Sequence, residues 1–511
     1  MVELIGGMNG PLDRPRGIEV PTLAGENFGA VIEAPSLIAG SWLTEASWES
    51  RRGPYVRRVV SRGSIPDQSD IGRALAYAKG SARAIRRMTP AARATILERA
   101  GELAVERRDE LARILVLELG KPMKDSRGEM VRVADTFAIS ASEARRLGGE
   151  LLGAEGWERG SGTTAITFRA PVGVVLAITP FNAPANLLAH KLGASFAAGN
   201  TTIVKPPPQA PAISNAVVQL LLDAGMPLEA VQILHGGVEV GSALSCAPEV
   251  GAISFTGSAL AGAAVARSAG PKRLVLELGG NAATIVCGDA DIDAAAENCA
   301  RTGFSNSGQS CISVQRIYVE RTVAEAFTEK LTEAVAKLKV GDPLEEATDV
   351  GSMVDDAAAA RIVDWVNEAR STGAVVTTGG TRDGATVYPS VVASPSVDAK
   401  VVREEAFGAL VVVLPFDDFE DVVAECNSSN YGLQAGLFSN DIRRIFYAWR
   451  ELEVGGLVVN GSSNYRLDHA PFGGIKDSGI GRESPRWMMD DYTYVKTMML
   501  RGISLWGDVK K

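Results

Sequence analysis

The chain of 511 residues is poor in the residues that build metal and disulfide scaffolds. It has only three histidines, His190, His235 and His469, and five cysteines, Cys246, Cys287, Cys299, Cys311 and Cys426. The cysteines are odd in number, scattered, and form no C-x-x-C pair. Neither a disulfide framework nor a metal site of clustered His and Cys is expected. Free thiols of this kind fit a reducing compartment, so a cytoplasmic location is the expectation. Basic residues are in deficit, 52 Lys and Arg against 61 Asp and Glu, for a net charge of -9. That argues against a nucleic-acid partner, whose phosphates need a basic face. No run of eighteen apolar residues occurs, so no transmembrane helix and no membrane partner are expected. The opening "MVELIGGMNGPLDRPRG" lacks a basic segment followed by an apolar one and is not read as a secretory signal.

What the chain does have is size and a mixed rhythm. At 46% hydrophobic residues it has ordinary globular usage and enough length for two or three domains. Residues 1–30, rich in Gly and Pro, are expected to wrap the surface or stay loose. A helix is expected from Thr89-Pro90, a cap and a first helical position, through Leu97, Leu103, Leu111 and Leu115 to a stop at Gly120. From about residue 170 short apolar runs alternate with helical segments: "PVGVVLAITP", "ANLLAHKLGASFAAG", "NTTIVKP", "PAISNAVVQLLLDAGMP", "AVQILHG" and "GAISFTG". Strand, helix, strand in this order implies right-handed crossovers and a parallel sheet. A second series starts at "NAATIVCGDA" and runs through "SVQRIYVE", "ALVVVLPF" and "GGLVVNG". The fold class is therefore α/β with two parallel lobes, divided near 279–281. The segment 155–170 reads as a β-hairpin and "DDYTYVKTMMLRG" as a β-rich tail.

Several residues stand out against this frame. Cys311 lies in "FSNSGQSCIS", a small, polar, flexible setting that reads either as a half-exposed loop or as a thiolate nucleophile. Glu277 ends the apolar strand "RLVLELGG", where a carboxylate is costly unless paired, neutral or functional. It is a salt-bridged edge residue or a general base. Asn182 in "ITPFNAP" is a turn residue or an oxyanion donor. Lys205 in "IVKPPPQAP" is a surface lysine or a ligand for ribose or phosphate. Gly257 and Ser258 in "SFTGSALAG" open a helix whose free N–H groups suit a phosphate.

Taken in order, "PFN", "KP", "FTGS", "ELGGN", "GQSC", "EEAFG" and "PFGGIKDSGIGRE" resemble the aldehyde dehydrogenase superfamily, from about Ile38 to about Arg501. The resemblance implies a nucleophile, Cys311; an oxyanion donor, Asn182; and a water-activating base, Glu277. It implies NAD or NADP as cofactor, with Lys205 on the adenosine ribose, Ser258 on the pyrophosphate, and Glu405 on the nicotinamide ribose with Phe407 beside it. Thr179, Phe181, Phe255, Gly257 and Pro208 complete the cofactor set. Many NAD-preferring relatives carry a glutamate where this chain has Pro208, which favours NADP. Phe181 and Ala409 are milder departures, standing where tryptophan and proline are usual. The substrate implied is a small, polar or anionic aldehyde such as lactaldehyde, glyceraldehyde 3-phosphate or a phosphonate aldehyde. Arg132, Tyr465, Arg466 and His469 are the candidates that meet it. Glu277 favours hydrolysis of the thioester over a CoA-acylating reaction, the alternative. A non-redox thiol esterase or a non-catalytic relative are the other rivals. The implied division is a cofactor domain at 20–148 and 172–279, a catalytic domain at 280–486, and an oligomerisation arm at 149–171 and 487–511. That arm implies a homodimer or homotetramer; a two-stranded arm alone would be a poor structure.

Overall fold

The computed structural model describes residues 30–504. The Gly/Pro-rich segment expected to wrap the surface or stay loose thus lies outside the described residues, apart from its last position. Two parallel sheets, each covered by helices, form the body. In the first sheet five strands run parallel, in the spatial order Arg273–Glu277, Ala252–Thr256, Val174–Ile178, Thr201–Lys205 and Val231–Ile233. Strands Val174–Ile178 and Thr201–Lys205 are buried at every position. This is why they read as continuous apolar or β-branched runs and not as alternating ones. From Val174–Ile178 the chain adds strands on one side, then returns at Ala252–Thr256 to build on the other. The crevice at that reversal, at the carboxyl ends of the strands, is where open α/β sheets receive ligands.

The second sheet has the order Val375–Thr378, Ser390–Ala393, Leu410–Phe416, Arg316–Glu320, Ala283–Val286, Gln434–Phe438 and Gly456–Val459. All its pairs are parallel except the first. Each lobe has its own core. Phe137, Leu188, Leu192, Phe196 and Val217 lie in the helical layer of the first. Ile285, Ile317, Phe327, Val391 and Val412 lie in the second. Burying one such side chain contributes about 1.5–3 kcal/mol.

Three expectations change. The helix from Pro90 does not run unbroken to Gly120. It ends at Glu106, and a second helix spans Arg108–Leu119 before the left-handed Gly120. Arg107 at the joint leaves helical geometry (φ -101°, ψ 14°) and pairs with Asp223 at 2.6 Å. No Gly or Pro marks this break. The signal present is acidic, Asp109 and Glu110 in a new first turn, where the helix dipole favours them. The hairpin expected at 155–170 is reduced to one long strand, Thr163–Pro171, because residues 154–160 form two 3₁₀ turns. Its main partner is the distant Thr493–Arg501 strand, antiparallel over nine residue pairs, with a two-residue strand at Leu151–Leu152 on the other side. Finally, Gly479–Ile480, expected with the second lobe, hydrogen-bonds to the edge of the first sheet beside Glu277. Among the described residues no helix is long and apolar enough to cross a membrane.

Candidate active site

The parallel strands of the first sheet deliver their carboxyl ends to one crevice. Thr179 follows the strand that ends at Ile178, Lys205 and Glu277 end their own strands, and Gly257-Ser258 lead into the Ala259–Ala269 helix. Lys205 is buried to 8% exposure and its ammonium donates no hydrogen bond among the described residues. Burial pulls it down to about 8, against the pull of Glu49 and Glu239. The Thr179 hydroxyl is buried without a partner. Ser258 caps the helix by accepting from Ala261 N, and the side chain itself is exposed. Phe255 is buried beneath Gly257, where any Cβ would stand 2.6 Å from its ring. Two unpartnered polar groups and an open helix start fit a dinucleotide laid over the strand ends. Pro208, half-buried, follows Lys205 and brings no charge.

The opposite wall comes from the second lobe. Glu405 Oε1 accepts from Gly280 N at 2.9 Å, and its other oxygen fills the space a side chain on Gly279 would need. Burial raises this carboxyl to about 7. Phe407, in left-handed geometry (φ 45°), meets Phe181 edge to face at 5.8 Å. Phe181 is the residue before Asn182, so this contact ties the two lobes beside the site.

Cys311 is brought in by an unusual turn. After the Ile292–Phe304 helix, Asn306, Ser307 and Gly308 have φ of 49°, 56° and 73°, three left-handed residues in succession. Two of these are not glycine and cost of order 1–3 kcal/mol each. Side chains hold them there. Asn306 Nδ2 donates to Asn182 O at 3.0 Å, Asn306 N to Asp125 Oδ2 at 2.9 Å, and Ser307 Oγ to Gly351 O at 3.0 Å. A Cβ on Gly308 would collide with the Gly408 carbonyl. Asn182 Nδ2 donates to Gln309 O at 3.1 Å, two residues before Cys311. The Cys311 carbonyl lies against Gly280, so close that no side chain fits at that position. Thus the three segments carrying Asn182, Glu277 and Cys311 converge.

One expectation about the sulfur is corrected. The polar neighbours of Cys311 were expected to favour its thiolate. Instead Asn306, Ser307 and Gln309 spend their polar atoms on the backbone, and half-buried Cys311 packs with Ile312, Leu433 and Phe472. Burial, then Glu405 and Glu277, push the thiol up to about 12, opposed by Arg466.

Glu277 is 3% exposed and neither carboxylate oxygen has a hydrogen-bond partner among the described residues. Burial, reinforced by Glu483, holds it well above the ordinary carboxylate range. Glu483 accepts from Lys191 Nζ and from Arg466 Nη1, each at 2.8 Å, and stays below that range despite burial. Lys191 also donates to Ser254 and Thr256.

The substrate candidates separate into two pairs. Arg132 and Arg466 are part of a buried network. Arg132, on the Met123–Arg146 helix, binds Asp468 through two bonds: Nε at 3.0 Å and Nη2 at 2.7 Å. Asp468 also accepts from Asn186 and contacts His190 Nε2 at 3.0 Å. Arg466 Nη2 lies 3.1 Å from the same His190 nitrogen, and its guanidinium covers Phe472 at 4.2 Å. His190 is fully buried and is held down to about 4 by burial and then by Arg466, so it is neutral. Tyr465 and His469, by contrast, are exposed. Asp468, His190, Lys191 and Glu483 were not among the sequence candidates. The signal for two of them was present: His190-Lys191 interrupts an otherwise apolar helix.

A two-lobed α/β fold with a cysteine, an amide and an unpaired carboxylate meeting beside a nucleotide crevice defines an oxidoreductase of the thiol-dependent dehydrogenase type. The sequence matches the aldehyde dehydrogenase family over residues 43–498, and the chain belongs to that family. It acts on aldehydes as an NAD(P)-linked oxidoreductase. It is 41% identical over 464 residues to the 3-sulfolactaldehyde dehydrogenase of Priestia aryabhattai, covering 91% of this chain and 97% of that one. Aldehyde dehydrogenase 21 of Physcomitrella patens, solved with its product succinate, superposes with a TM-score of 0.90 at 35% identity, over 93% of this chain and 100% of that one. Glyceraldehyde-3-phosphate dehydrogenase GapN of Methanocaldococcus jannaschii, solved with NADP, gives 0.86 at 32% identity, over 90% and 100%.

Proposed function

We propose that this dehydrogenase oxidises a small polar aldehyde to its carboxylate through a thioester on Cys311. Cys311 gives its thiol proton to water, and its Sγ then adds as thiolate to the aldehyde carbon. One Asn182 amide hydrogen, with the Cys311 N–H, stabilises the oxyanion, while the other stays on Gln309. The bound dinucleotide supplies the hydride acceptor. Glu277, free of hydrogen bonds, then takes a proton from the water that hydrolyses the thioester. Lys205 and Ser258 hold the adenosine end, with Thr179, Phe255, Gly257 and Phe181 lining the crevice. Glu405 and Phe407 hold the nicotinamide end. The observation that carries this reading is the contact of Gly280, three residues beyond Glu277, with the Cys311 backbone.

The test is reduced-cofactor absorbance on mixing enzyme, NADP+ or NAD+, and a panel of small aldehydes, with Cys311→Ala as control. Growth with at least one aldehyde, lost in the variant, is expected. No growth with any, or full growth in Cys311→Ala, overturns the reading.

The finer assignments rest on narrower ground. NADP+ is preferred, because Pro208 offers no carboxylate to repel a 2′-phosphate. The anionic members of the aldehyde class are favoured by the arginines at 132 and 466. The three-part division at 20–148 with 172–279, 280–486, and 149–171 with 487–511 stands as a proposal, with Gly479–Ile480 joining the first lobe's sheet. The arm exposes Phe168, Val495, Met498 and Met499, and Gly456–Val459 is an open sheet edge. Such surfaces support a homodimer or a dimer of dimers. Sedimentation of the enzyme as a monomer would refute it. A cytoplasmic location accords with the free thiols.

A further inference from the structure

The network between Arg132 and Glu483 holds a carboxylate that the reaction does not use. Asp468 comes from the loop between Asn464 and Phe472, and its side chain is only 9% exposed. It reaches three elements at once: Arg132 on the Met123–Arg146 helix, Asn186 and His190 on the Pro184–Ala198 helix, and Arg466 in its own loop, at 3.8 Å. Of the Arg132 nitrogens, Nε and Nη2 are taken by Asp468, and Nη1 has no bond to any described residue. The Arg466 Nε, buried and without a hydrogen bond among the described residues, faces Asp468 Oδ1 at 3.8 Å. Both guanidinium groups are therefore fixed by protein carboxylates, and Arg132 keeps an unused donor in Nη1.

The charges here do not cancel. Arg132, Arg466 and Lys191 carry three positive charges, and Asp468 and Glu483 carry two negative ones. Nearby Lys121 and Glu129 pair with each other. Among these five groups cations exceed anions by one, and Arg466 lies over Phe472, which packs with Cys311.

We propose that Asp468 is a positioning residue for substrate selection: its two hydrogen bonds lock Arg132 so that the free Nη1 receives the oxyanion group of an anionic aldehyde. This rests on the anionic reading above. The role has an opposite. If Asp468 served only as a counter-charge, removing it would raise the local positive potential and tighten anion binding. If it positions, removing it loosens a guanidinium whose side chain is 38% exposed, and anion binding weakens.

The experiment compares 4-oxobutanoate with butanal, of equal carbon number, in the wild-type holoenzyme, Asp468→Asn and Arg132→Ala. For Asp468→Asn the KM for 4-oxobutanoate rises at least about tenfold with kcat within about threefold, and both constants for butanal hold within about twofold. Butanal turnover reports that the variant is folded. An unchanged or lowered KM for 4-oxobutanoate, or an equal rise for both substrates, overturns the proposal. If wild type shows no preference for the anionic aldehyde and Arg132→Ala changes nothing, the anionic reading itself fails. If Arg132→Ala matters and Asp468→Asn does not, only the role of Asp468 fails.

Discussion

Glu277 and Glu483 are both buried, and of the two only Glu483 is paired with cations. Lys191 and Arg466 both bind Glu483 at 2.8 Å, while neither carboxyl oxygen of Glu277 has a hydrogen-bond partner among the described residues. Like charges in a low-dielectric site oppose each other's ionisation, so burial and then Glu483 raise the Glu277 carboxyl well above the ordinary range.

This arrangement fixes a pH dependence. The folded-state value of Glu277 is raised, so its base form grows as pH rises. Turnover limited by thioester hydrolysis therefore increases with pH until Glu277 has ionised. Glu483→Gln removes the opposing charge and leaves Lys191 and Arg466 to attract a carboxylate. The rising limb of the kcat profile then moves to lower pH. A limb that stays in place or moves upward would show that Glu483 does not control Glu277.

Glu277→Gln separates the two halves of the reaction. A burst of reduced cofactor, up to one equivalent per Cys311, is expected, followed by a steady rate lowered about 10²–10⁴-fold. Rapid mixing and mass detection of the acylated enzyme check it. A slowed burst with no acyl-enzyme would place Glu277 in the first half instead.

The thiol of cofactor-free enzyme is pushed up to about 12. Alkylation of Cys311 by iodoacetamide should accelerate about tenfold per pH unit, without a plateau below pH 10. The other four cysteines need a Cys311→Ala control, since Cys246 is exposed. A plateau near neutral pH would mean a stabilised thiolate.

Cofactor choice turns on Lys205 and Pro208. Lys205 is cationic below about 8. The dissociation constant for NADP+, measured by fluorescence titration, should be flat below that pH and rise above it. Pro208→Glu should shift the ratio of kcat/KM toward NAD+ by about tenfold or more. No shift would remove position 208 from the specificity argument.

Lys191 is fully buried, and its loss leaves Glu483 short of one partner. Lys191→Met should cost roughly 3–5 kcal/mol in denaturant unfolding at neutral pH. The folded-state value of Glu483 is depressed below an unfolded one of about 4.3. Its stabilisation is thus present above that pH and lost on acidification, so the gap between variant and wild type narrows in acid.

The parallel lobes were legible because doubly buried strands such as Val174–Ile178 must be continuously apolar, and because crossovers force helices between them. Cys311, Asn182 and Glu277 were legible as motif residues at strand ends and in a glycine-bearing loop. The upward shift of the Cys311 thiol was not. It depends on where Glu405 and Glu277 come to rest, from segments 94 and 34 residues away in the chain. Asp468 was hidden for the same reason. Inside "YRLDHAP" it reads as a loop aspartate, and its partners Arg132 and His190 are supplied by tertiary structure alone. The break at Arg107 escaped because helical spacing continues across it without a Gly or Pro.

The last segment of the chain closes the first lobe. Gly479–Ile480 completes the edge beside Glu277, the Pro485–Asp491 helix packs on Pro184–Ala198, and Thr493–Arg501 zips onto Thr163–Pro171. A ribosome that has released the five parallel strands of the first sheet, through Glu277, still has about two hundred codons to translate before Gly479 can seal that edge. Assembly of the lobe is therefore a post-synthetic event, and a nascent chain stalled before Gly479 would expose the Glu277 edge to chaperones or to aggregation.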